Sequence, residues 1–461
     1  MTTSDLIIIG AGPGGYETAI EAAKAGLAVT LIEAKHLGGT CLNEGCIPTK
    51  CLAHSAEHLR EEKDTLDLTK VIEHKNKIVK QLVDGIAMLM KTPGISLVEG
   101  EARFVDAHTI RVGNEEYQAK DLIIATGSVS KFLPIEGAHS AGVVTSTEIL
   151  NLTTAPSRLC IIGGGVIGLE FASIFNQFGS EVTVVEFCKE VLPNLDKDMT
   201  KRLRLSLKKK GINILTDSGV KRIEHLENDA SKVVYENKGK EGIVEADVVL
   251  MAVGRTARTE IVEDNTIGIT YGKRGIEVDE NMQTSVPHIY AIGDVNGLCQ
   301  LAHAATFQGR RALNHILGRK DNIRFDLIPS AVFTSPQLAS VGLREEDVTE
   351  HKPLVYNSFY RANGRALSMD ADEGFLKIVC NEEGRVLGVH IMGEQASELI
   401  HEATVLMNLG GTISQLGDII HAHPTLSEMY RVSIPCRPYW KASNKVRILQ
   451  TKSTNVLSER K

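Results

Sequence analysis

The sequence predicts an α/β fold in which two βαβ units are followed by a separate α+β domain. Three observations carry this expectation. A strand, glycine turn, helix and second strand occur twice at the same spacing. Each copy is followed, many residues later, by another apolar strand that runs into a glycine turn. Beyond Ile328 the pattern changes to longer strands and helices.

The first copy begins with Leu6-Ile-Ile-Ile-Gly10-Ala-Gly12-Pro-Gly14-Gly15, an apolar strand entering a glycine turn; Ala19 to Ala25 then read as helix. Val29-Thr-Leu-Ile32-Glu33 is a second strand ending in an acid. The pattern returns at Leu159-Cys-Ile-Ile-Gly163-Gly-Gly165-Val-Ile-Gly168, then helix, then Val182-Thr-Val-Val-Glu186. Glu33 follows Gly10, and Glu186 follows Gly163, by the same 23 positions. Two such units in register predict two dinucleotide-binding, Rossmann-like domains. Glycines let the backbone approach a pyrophosphate, and the helix N-terminus offers free N–H groups and a positive dipole end. The spaced acid suits ribose hydroxyls. Two tight turns without ligand are the plainer alternative, and the agreement of strand, helix and acid in both copies weighs against it.

Lys50 to Lys91 is rich in Glu, Lys and Leu and reads as one or two exposed amphipathic helices. Short strands are expected near Ser96–Val98, Ala102–Phe104 and Thr109–Val112. Asp121-Leu-Ile-Ile-Ala-Thr126-Gly127 is the strand and turn that follow the first copy. Ala246-Asp-Val-Val-Leu-Met-Ala-Val-Gly254-Arg255 echoes it after the second. In the last part, Phe375–Val379, Val386–Met392 and Ser397–Asn408 are the clearest elements. From Arg431 onward there are eight basic residues against one acid, Glu459, which reads as a solvated tail.

Composition narrows the function classes. The 461 residues are long enough for about three domains, and 43% hydrophobic with 24% charged residues excludes general disorder. A net charge of −7 gives no footprint for nucleic acid. No apolar run approaches the ~20 residues of a membrane span. The first apolar run starts at Leu6, leaving no room for a leader before it, so the chain reads as cytoplasmic or as a mature form whose leader is missing. Eight cysteines are too few for a disulfide-framed secreted fold, and Cys41 and Cys46 form a closely spaced pair.

That pair lies in Gly38-Gly39-Thr40-Cys41-Leu-Asn-Glu-Gly45-Cys46-Ile-Pro48-Thr-Lys50, directly after the first acid. The spacing permits a bridge if the segment opens a helix, where the dipole stabilises a thiolate. Lys50 would share a helix face with Cys46. Two buried reduced cysteines, or half of a zinc site, are the other readings; zinc lacks a second ligand pair at metal spacing. Similarly, His421-x-His423 has no acid or cysteine spacing that completes a metal set, so no metal is expected.

These residues resemble the class I pyridine nucleotide-disulfide oxidoreductases. The segment from Gly39 to Lys50 is similar to that family's redox signature. Gly10–Gly15, Ala125–Gly127, Gly163–Gly168 with Glu170, Thr284 with Tyr290–Asp294, and His421-Ala-His423-Pro424-Thr425-Leu-Ser-Glu428 match in order, over about residues 5 to 430. Within the family the chain is most similar to members that oxidise dihydrolipoyl groups. The resemblance implies FAD on the first unit, held by Gly10, Gly12, Gly14, Gly15, Lys50, Thr126 and Gly127. Glu33 would meet the adenosine ribose, and Asp294 the ribityl or pyrophosphate part. NAD would bind the second unit at Gly163, Gly165, Gly168, Glu186 and Gly254. Cys46 would lie against the flavin and Cys41 would exchange with the dithiol. Lys50 and Glu170 would pair beside the flavin, and His423 with Glu428 would serve Cys41 as acid and base.

The implied organisation is 1–148 as the first part of the FAD domain, 149–270 as the NAD domain and 271–327 as a return to the FAD or central part. Residues 328–461 would form a dimerisation domain with the basic tail. The implied partners are a second copy of the chain and the lipoyl-bearing protein of a 2-oxo acid dehydrogenase or glycine cleavage complex. Departures from the family pattern are Arg255-Thr-Ala-Arg258 for the usual Arg-x-Pro-Asn, Thr49 and Cys51 for Ser and Ala, and an unlike ending with a single Cys436. The competing expectations are a glutathione-type reductase running with NADPH and a non-catalytic subunit of a multienzyme complex. Phe187 and Cys188 follow Glu186, with only Lys189 basic nearby, which disfavours a 2′-phosphate.

Overall fold

The computed structural model describes residues 2–62, 67–227, 229–263, 267–350 and 352–432. The basic tail beyond Val432, with Cys436, lies outside them.

The strand Thr2–Ile9 is fully buried from Leu6 onward. It runs parallel between Val29–Glu33 and Glu115–Ile124, with Ile9 opposite both Ile32 and Ile124. A strand covered on both faces reads as one continuous apolar run rather than an alternation, which is why Leu6 to Ile9 is uninterrupted. Ile95–Glu99 extends the sheet beyond Val29–Glu33, while Ala102–Asp106 and Thr109–Val112 continue it antiparallel on the other side. The chain comes back to this sheet much later, when Ile289–Ala291 pairs parallel with Glu115–Ile124.

The second unit repeats the plan. Arg158–Ile162 lies parallel between Glu181–Val185 and Val248–Met251, with Ile162 opposite Val185 and Met251. In both sheets the strand order reverses at the strand that ends in the glycine turn, and ligands bind at the carboxyl end of such a switch point. The helix Val166–Gln177 is buried along Gly168–Phe175. It packs against the helix Cys46–Glu62, with Leu52, Phe171 and Phe175 in one core. The Lys50–Lys91 stretch forms two helices, Cys46–Glu62 and Leu68–Leu89.

A five-stranded antiparallel sheet makes the C-terminal part, in the order Ser330–Val332, Gln337–Gly342, Val386–Gly393, Phe375–Cys380, Leu354–Phe359. Phe375–Cys380 is buried along its whole length, and the helix Ala396–Asn408 packs on the neighbouring strands. Buried within this sheet, the Lys377 ammonium reaches Asp196 at 3.0 Å, Asp198 at 2.8 Å and Glu345 at 2.7 Å. Asp196 also caps the helix Lys197–Lys209, so the cluster ties the second unit to the C-terminal sheet.

One element went unforeseen in the sequence. Ser218–His225, Ser231–Asn237 and Lys240–Ala246 form a three-stranded antiparallel sheet. Its last turn has two central residues, Lys238 at φ 50° and Gly239 at φ 76°. Two positive φ values are the mark of the hairpin turn that fits strand twist. Asn or Gly usually stands first in such a turn, and a lysine there hides the signal.

Candidate active site

The two glycine turns are built alike. Gly10 has φ 105° and a Cβ there would lie 2.3 Å from the Ala125 carbonyl oxygen. Gly163 has φ 112°, and its Cβ would lie 2.4 Å from the Ala252 carbonyl oxygen. Any side chain would push the central strand from its neighbour. Gly15 and Gly168 are closed by the carbonyl oxygens of Gly10 and Gly163, at 1.8 and 2.0 Å from a notional Cβ, which brings each helix against its strand. Gly14 faces Ala305. Gly12 and Gly165 have nothing within 4 Å where a Cβ would sit, so the backbone of each turn is open to a ligand. The helices Pro13–Lys24 and Val166–Gln177 start there without a side-chain cap, leaving N–H groups and the dipole for an anion.

The acids close these turns. Glu33 accepts the Ala11 N–H at 2.6 Å and the Lys35 N–H at 2.7 Å. Glu186 accepts the N–H groups of Gly164 and, at 2.5 Å, Cys188. Both carboxylates thus stand beside the open glycine, where a ribose would follow a pyrophosphate. A cavity of about 2460 Å3 joins the two turns, larger than a single drug-sized ligand site. Gly10, Gly12, Gly14, Gly15, Glu33, Thr126, Gly127 and Asp294 line it, as do Gly163, Gly165, Glu186 and Gly254; Gly168 lies beneath. The residues fit two dinucleotides.

Between the turns the same cavity holds Cys41, Cys46, Lys50 and Glu170. Cys41 is in the short helix Gly39–Asn43, and Cys46 starts the helix Cys46–Glu62. Both are free thiols, with Cys41 donating a hydrogen bond to Cys46. That bond, and then the Lys50 charge, pull the Cys46 thiol down to about 7, against the burial that opposes them. The same bond, with burial, pushes Cys41 far up. The pair therefore has one thiolate position, at Cys46. Lys50 Nζ reaches Glu170 Oε2 at 2.9 Å and Oε1 at 3.1 Å.

His423 and Glu428 are brought together, His423 Nδ1 lying 3.1 and 3.2 Å from the two carboxylate oxygens. The Thr425 N–H, followed by His423, holds the Glu428 carboxyl below its ordinary value. The dyad does not line the cavity, and the His423 side chain is 79% exposed. Within one chain, the structure does not bring His423 to Cys41.

Other contacts were missed by sequence reasoning. Phe333, from the C-terminal part, donates its N–H to Glu170 at 2.9 Å and puts its ring 4.4 Å from Lys50 Nζ. No local pattern marks it, because its role comes only from packing across domains. Arg255, singled out as part of a departure, donates to the Ser128 hydroxyl and carbonyl, both at 2.7 Å. The Ser128 hydroxyl in turn donates to Asp294. Burial raises the Asp294 carboxyl, while Ser128 and Arg255 oppose that rise. The strand Arg255–Ala257 pairs with Ser128–Ser130, so the unusual segment joins the two glycine-turn regions.

Residues 4–309 match the pyridine nucleotide-disulphide oxidoreductase family, and residues 328–434 match that family's dimerisation domain. The chain belongs to this family. It is 41% identical over 446 residues to the dihydrolipoyl dehydrogenase of Bacillus subtilis (strain 168), covering 92% of this chain and 94% of that one. It is 39% identical over 445 residues to the dihydrolipoyl dehydrogenase of Staphylococcus aureus, covering 92% and 95%. Among solved structures, the HOCl-induced flavoprotein disulfide reductase RclA from Escherichia coli matches with a TM-score of 0.85 at 33% identity. That match covers 93% of this chain and 99% of RclA. As a pyridine nucleotide-disulphide oxidoreductase, the chain is an FAD-dependent disulfide oxidoreductase that works with NAD(H). Its α/β domains and dimerisation domain agree with the expected fold class. Among the described residues, no helix is long and apolar enough to cross a membrane, and no cluster could hold a metal ion.

Proposed function

We propose that the chain oxidises protein-bound dihydrolipoyl groups with NAD⁺, as a dihydrolipoyl dehydrogenase. The observation that carries this reading is the placement of Cys41, Cys46 and the Lys50–Glu170 pair between two open glycine turns in one cavity. The names of the relatives at about 40% identity point to the same substrate.

In this reading Cys41 and Cys46 start as a disulfide. A dithiol sulfur attacks Cys41, breaking the Cys41–Cys46 bond and releasing Cys46 as a thiolate; the second dithiol sulfur then displaces Cys41. The substrate leaves as a cyclic disulfide and two electrons remain on the cysteines; His423 takes the proton of the attacking thiol, and the proton of the second thiol passes to the departing Cys41 sulfur. Glu428 holds His423 Nδ1, so Nε2 faces the sulfur. Gly10, Gly12, Gly14, Gly15, Glu33, Lys50, Thr126, Gly127 and Asp294 would hold FAD, and Gly163, Gly165, Gly168, Glu186 and Gly254 would hold NAD⁺. When bound, FAD supplies the two-electron relay from thiols to nicotinamide, giving NADH. Lys50 stabilises the Cys46 thiolate, and Glu170 with the Phe333 N–H fixes Lys50. The working unit is a homodimer in which His423 serves the other chain's Cys41, and its partner is the lipoyl-bearing protein of a 2-oxo acid dehydrogenase or glycine cleavage complex. The domain limits 1–148, 149–270, 271–327 and 328–461 belong to this reading.

The 33% identity to RclA favours a second reading, a disulfide reductase of other substrate. Anaerobic titration of the flavoprotein with dihydrolipoamide, and of the NADH-reduced protein with glutathione disulfide, separates the two. Flavin reduction by dihydrolipoamide and NADH formation on adding NAD⁺ support the first. Turnover only in the direction of disulfide reduction with another substrate overturns it.

A further inference from the structure

His421 stands two residues before His423 and takes no part in the steps above. Its side chain is 5% exposed, and its Nε2 lies 2.7 Å from Glu402 Oε1. The chain therefore has a second histidine–glutamate pair, buried where the first is exposed. Its Nδ1 is buried and has no hydrogen-bond partner among the described residues. A buried polar atom left unpaired costs free energy, so a folded protein is expected to satisfy it.

Glu402 lies on the helix Ala396–Asn408. Val405 and Leu409, three and seven residues on, share its face and are 61% and 81% exposed. Ile420, next to His421, is 96% exposed. An apolar face of this kind in the dimerisation domain needs a cover.

We propose that the His421–Glu402 pair is a positioning device for His423. Glu402 anchors the loop and so the aim of the His423 ring through Nε2, while a group of a second copy of this chain closes the open Nδ1, so that each ring nitrogen carries a separate task. The inference rests on the reading of His423 as the acid–base group. His421 touches no reacting atom; it fixes the backbone two residues from one that does. A misplacement of about 1 Å in such a group costs about 10²-fold in rate.

Two substitutions separate the two ring nitrogens. His421→Gln keeps a donor where Nε2 sits and loses the Nδ1 group; His421→Asn does the reverse. Each FAD-loaded variant, with His421→Ala, is assayed for flavin reduction by dihydrolipoamide at concentrations that keep it dimeric, for flavin reduction by NADH, and for dimer dissociation by sedimentation. His421→Ala is expected to lose about 10²-fold in the dithiol half-reaction and to weaken the dimer about tenfold, with the NADH half-reaction unchanged. His421→Gln should recover the dithiol rate alone, and His421→Asn the dimer alone. An unchanged dithiol rate in His421→Ala overturns the proposal. So does equal recovery of both properties by Gln and Asn, which marks a space-filling role, or an equal fall in both half-reactions. Should His421→Ala not fold, the Gln and Asn variants carry the comparison between themselves. His423→Gln is the control: if it oxidises dithiol normally, the acid–base reading itself fails, whereas an inactive His423→Gln beside an undisturbed His421→Ala defeats this inference alone.

Discussion

Lys50 Nζ lies 2.9 Å from Glu170 Oε2, across 120 residues of sequence. The contact joins the helix that Cys46 opens to the helix that leaves the second glycine turn, so the thiol pair is fixed against both units. Lys50 is also the positive charge that lowers Cys46 after the Cys41 hydrogen bond.

The cysteines should therefore behave unequally. With FAD bound, Cys41→Ser should leave Cys46 as a lone thiolate and show a long-wavelength absorption band without added reductant. Cys46→Ser should show none. Both should keep FAD and lose dihydrolipoamide oxidation. Near wild-type dithiol oxidation by either variant defeats the active-disulfide reading.

A pH dependence follows from the same group. In the dithiol state Cys46 titrates at about 7, so its thiolate is present above that value and is lost as pH falls through it. The band of the two-electron-reduced protein should rise with pH through about 7. In Lys50→Met the midpoint should move upward, because a stabilising charge has gone. An unmoved midpoint would assign the low value to the Cys41 hydrogen bond alone.

Much of the site was legible because backbone geometry leaves few choices. Gly10 and Gly163 sit at positive φ against a neighbouring carbonyl, and only glycine fits both demands. Cys41, Cys46 and Lys50 were legible because they share one short segment. Phe333 and the Arg255–Ser128–Asp294 chain were not, since each joins parts of the chain more than 100 residues apart and has no periodicity. His423 was legible by its neighbours, but the surface it serves is not: one chain leaves it exposed.

Stability should respond to the Lys377 cluster. Asp196 is fully buried against Lys377, and removing the ammonium leaves a buried carboxylate without its partner. Lys377→Met should lower unfolding free energy by about 3–5 kcal/mol, the scale for breaking a buried pair. The Lys377 hydrogen bond also holds the Asp198 carboxyl below its ordinary value. A depressed carboxylate contributes stability above its unfolded value and loses it as pH falls through the folded one. The wild type should thus lose stability toward acid more steeply than Lys377→Met, measured by urea unfolding at several pH values. Parallel pH curves would show that the cluster adds nothing to acid sensitivity.

Cofactor choice turns on Glu186. Its carboxylate is buried and held by the Gly164 and Cys188 N–H groups, so it cannot swing away from a bound ribose without giving up both bonds. A 2′-phosphate would meet that charge directly. NAD(H) should be preferred to NADP(H) by about tenfold to a thousandfold in kcat/KM, as one to three such contacts decide it. Lys189 is the nearest cation in sequence. Equal kcat/KM for the two dinucleotides would show that it neutralises the phosphate.

The exposed dyad calls for a two-chain site. His423 is held by Glu428 yet stands outside the cavity that contains Cys41, and the C-terminal part matches a dimerisation domain. A twofold interface repeats each contact in both directions, so each His423 would serve the Cys41 of the other chain. Inactive Cys41→Ser chains and inactive His423→Gln chains, mixed under conditions that exchange subunits, should then recover activity. In a mixed dimer one site collects both lesions and the other receives neither, so recovery should approach about half of the wild-type activity per dimer. His423→Gln alone should still pass electrons from NADH to FAD, while dithiol oxidation falls about 10²-fold or more. Mass spectrometry of differently tagged chains would establish that exchange took place. Full exchange with no recovered activity would place His423 beside Cys41 of its own chain, and would require the loop from Ile419 to Thr425 to move from where it stands.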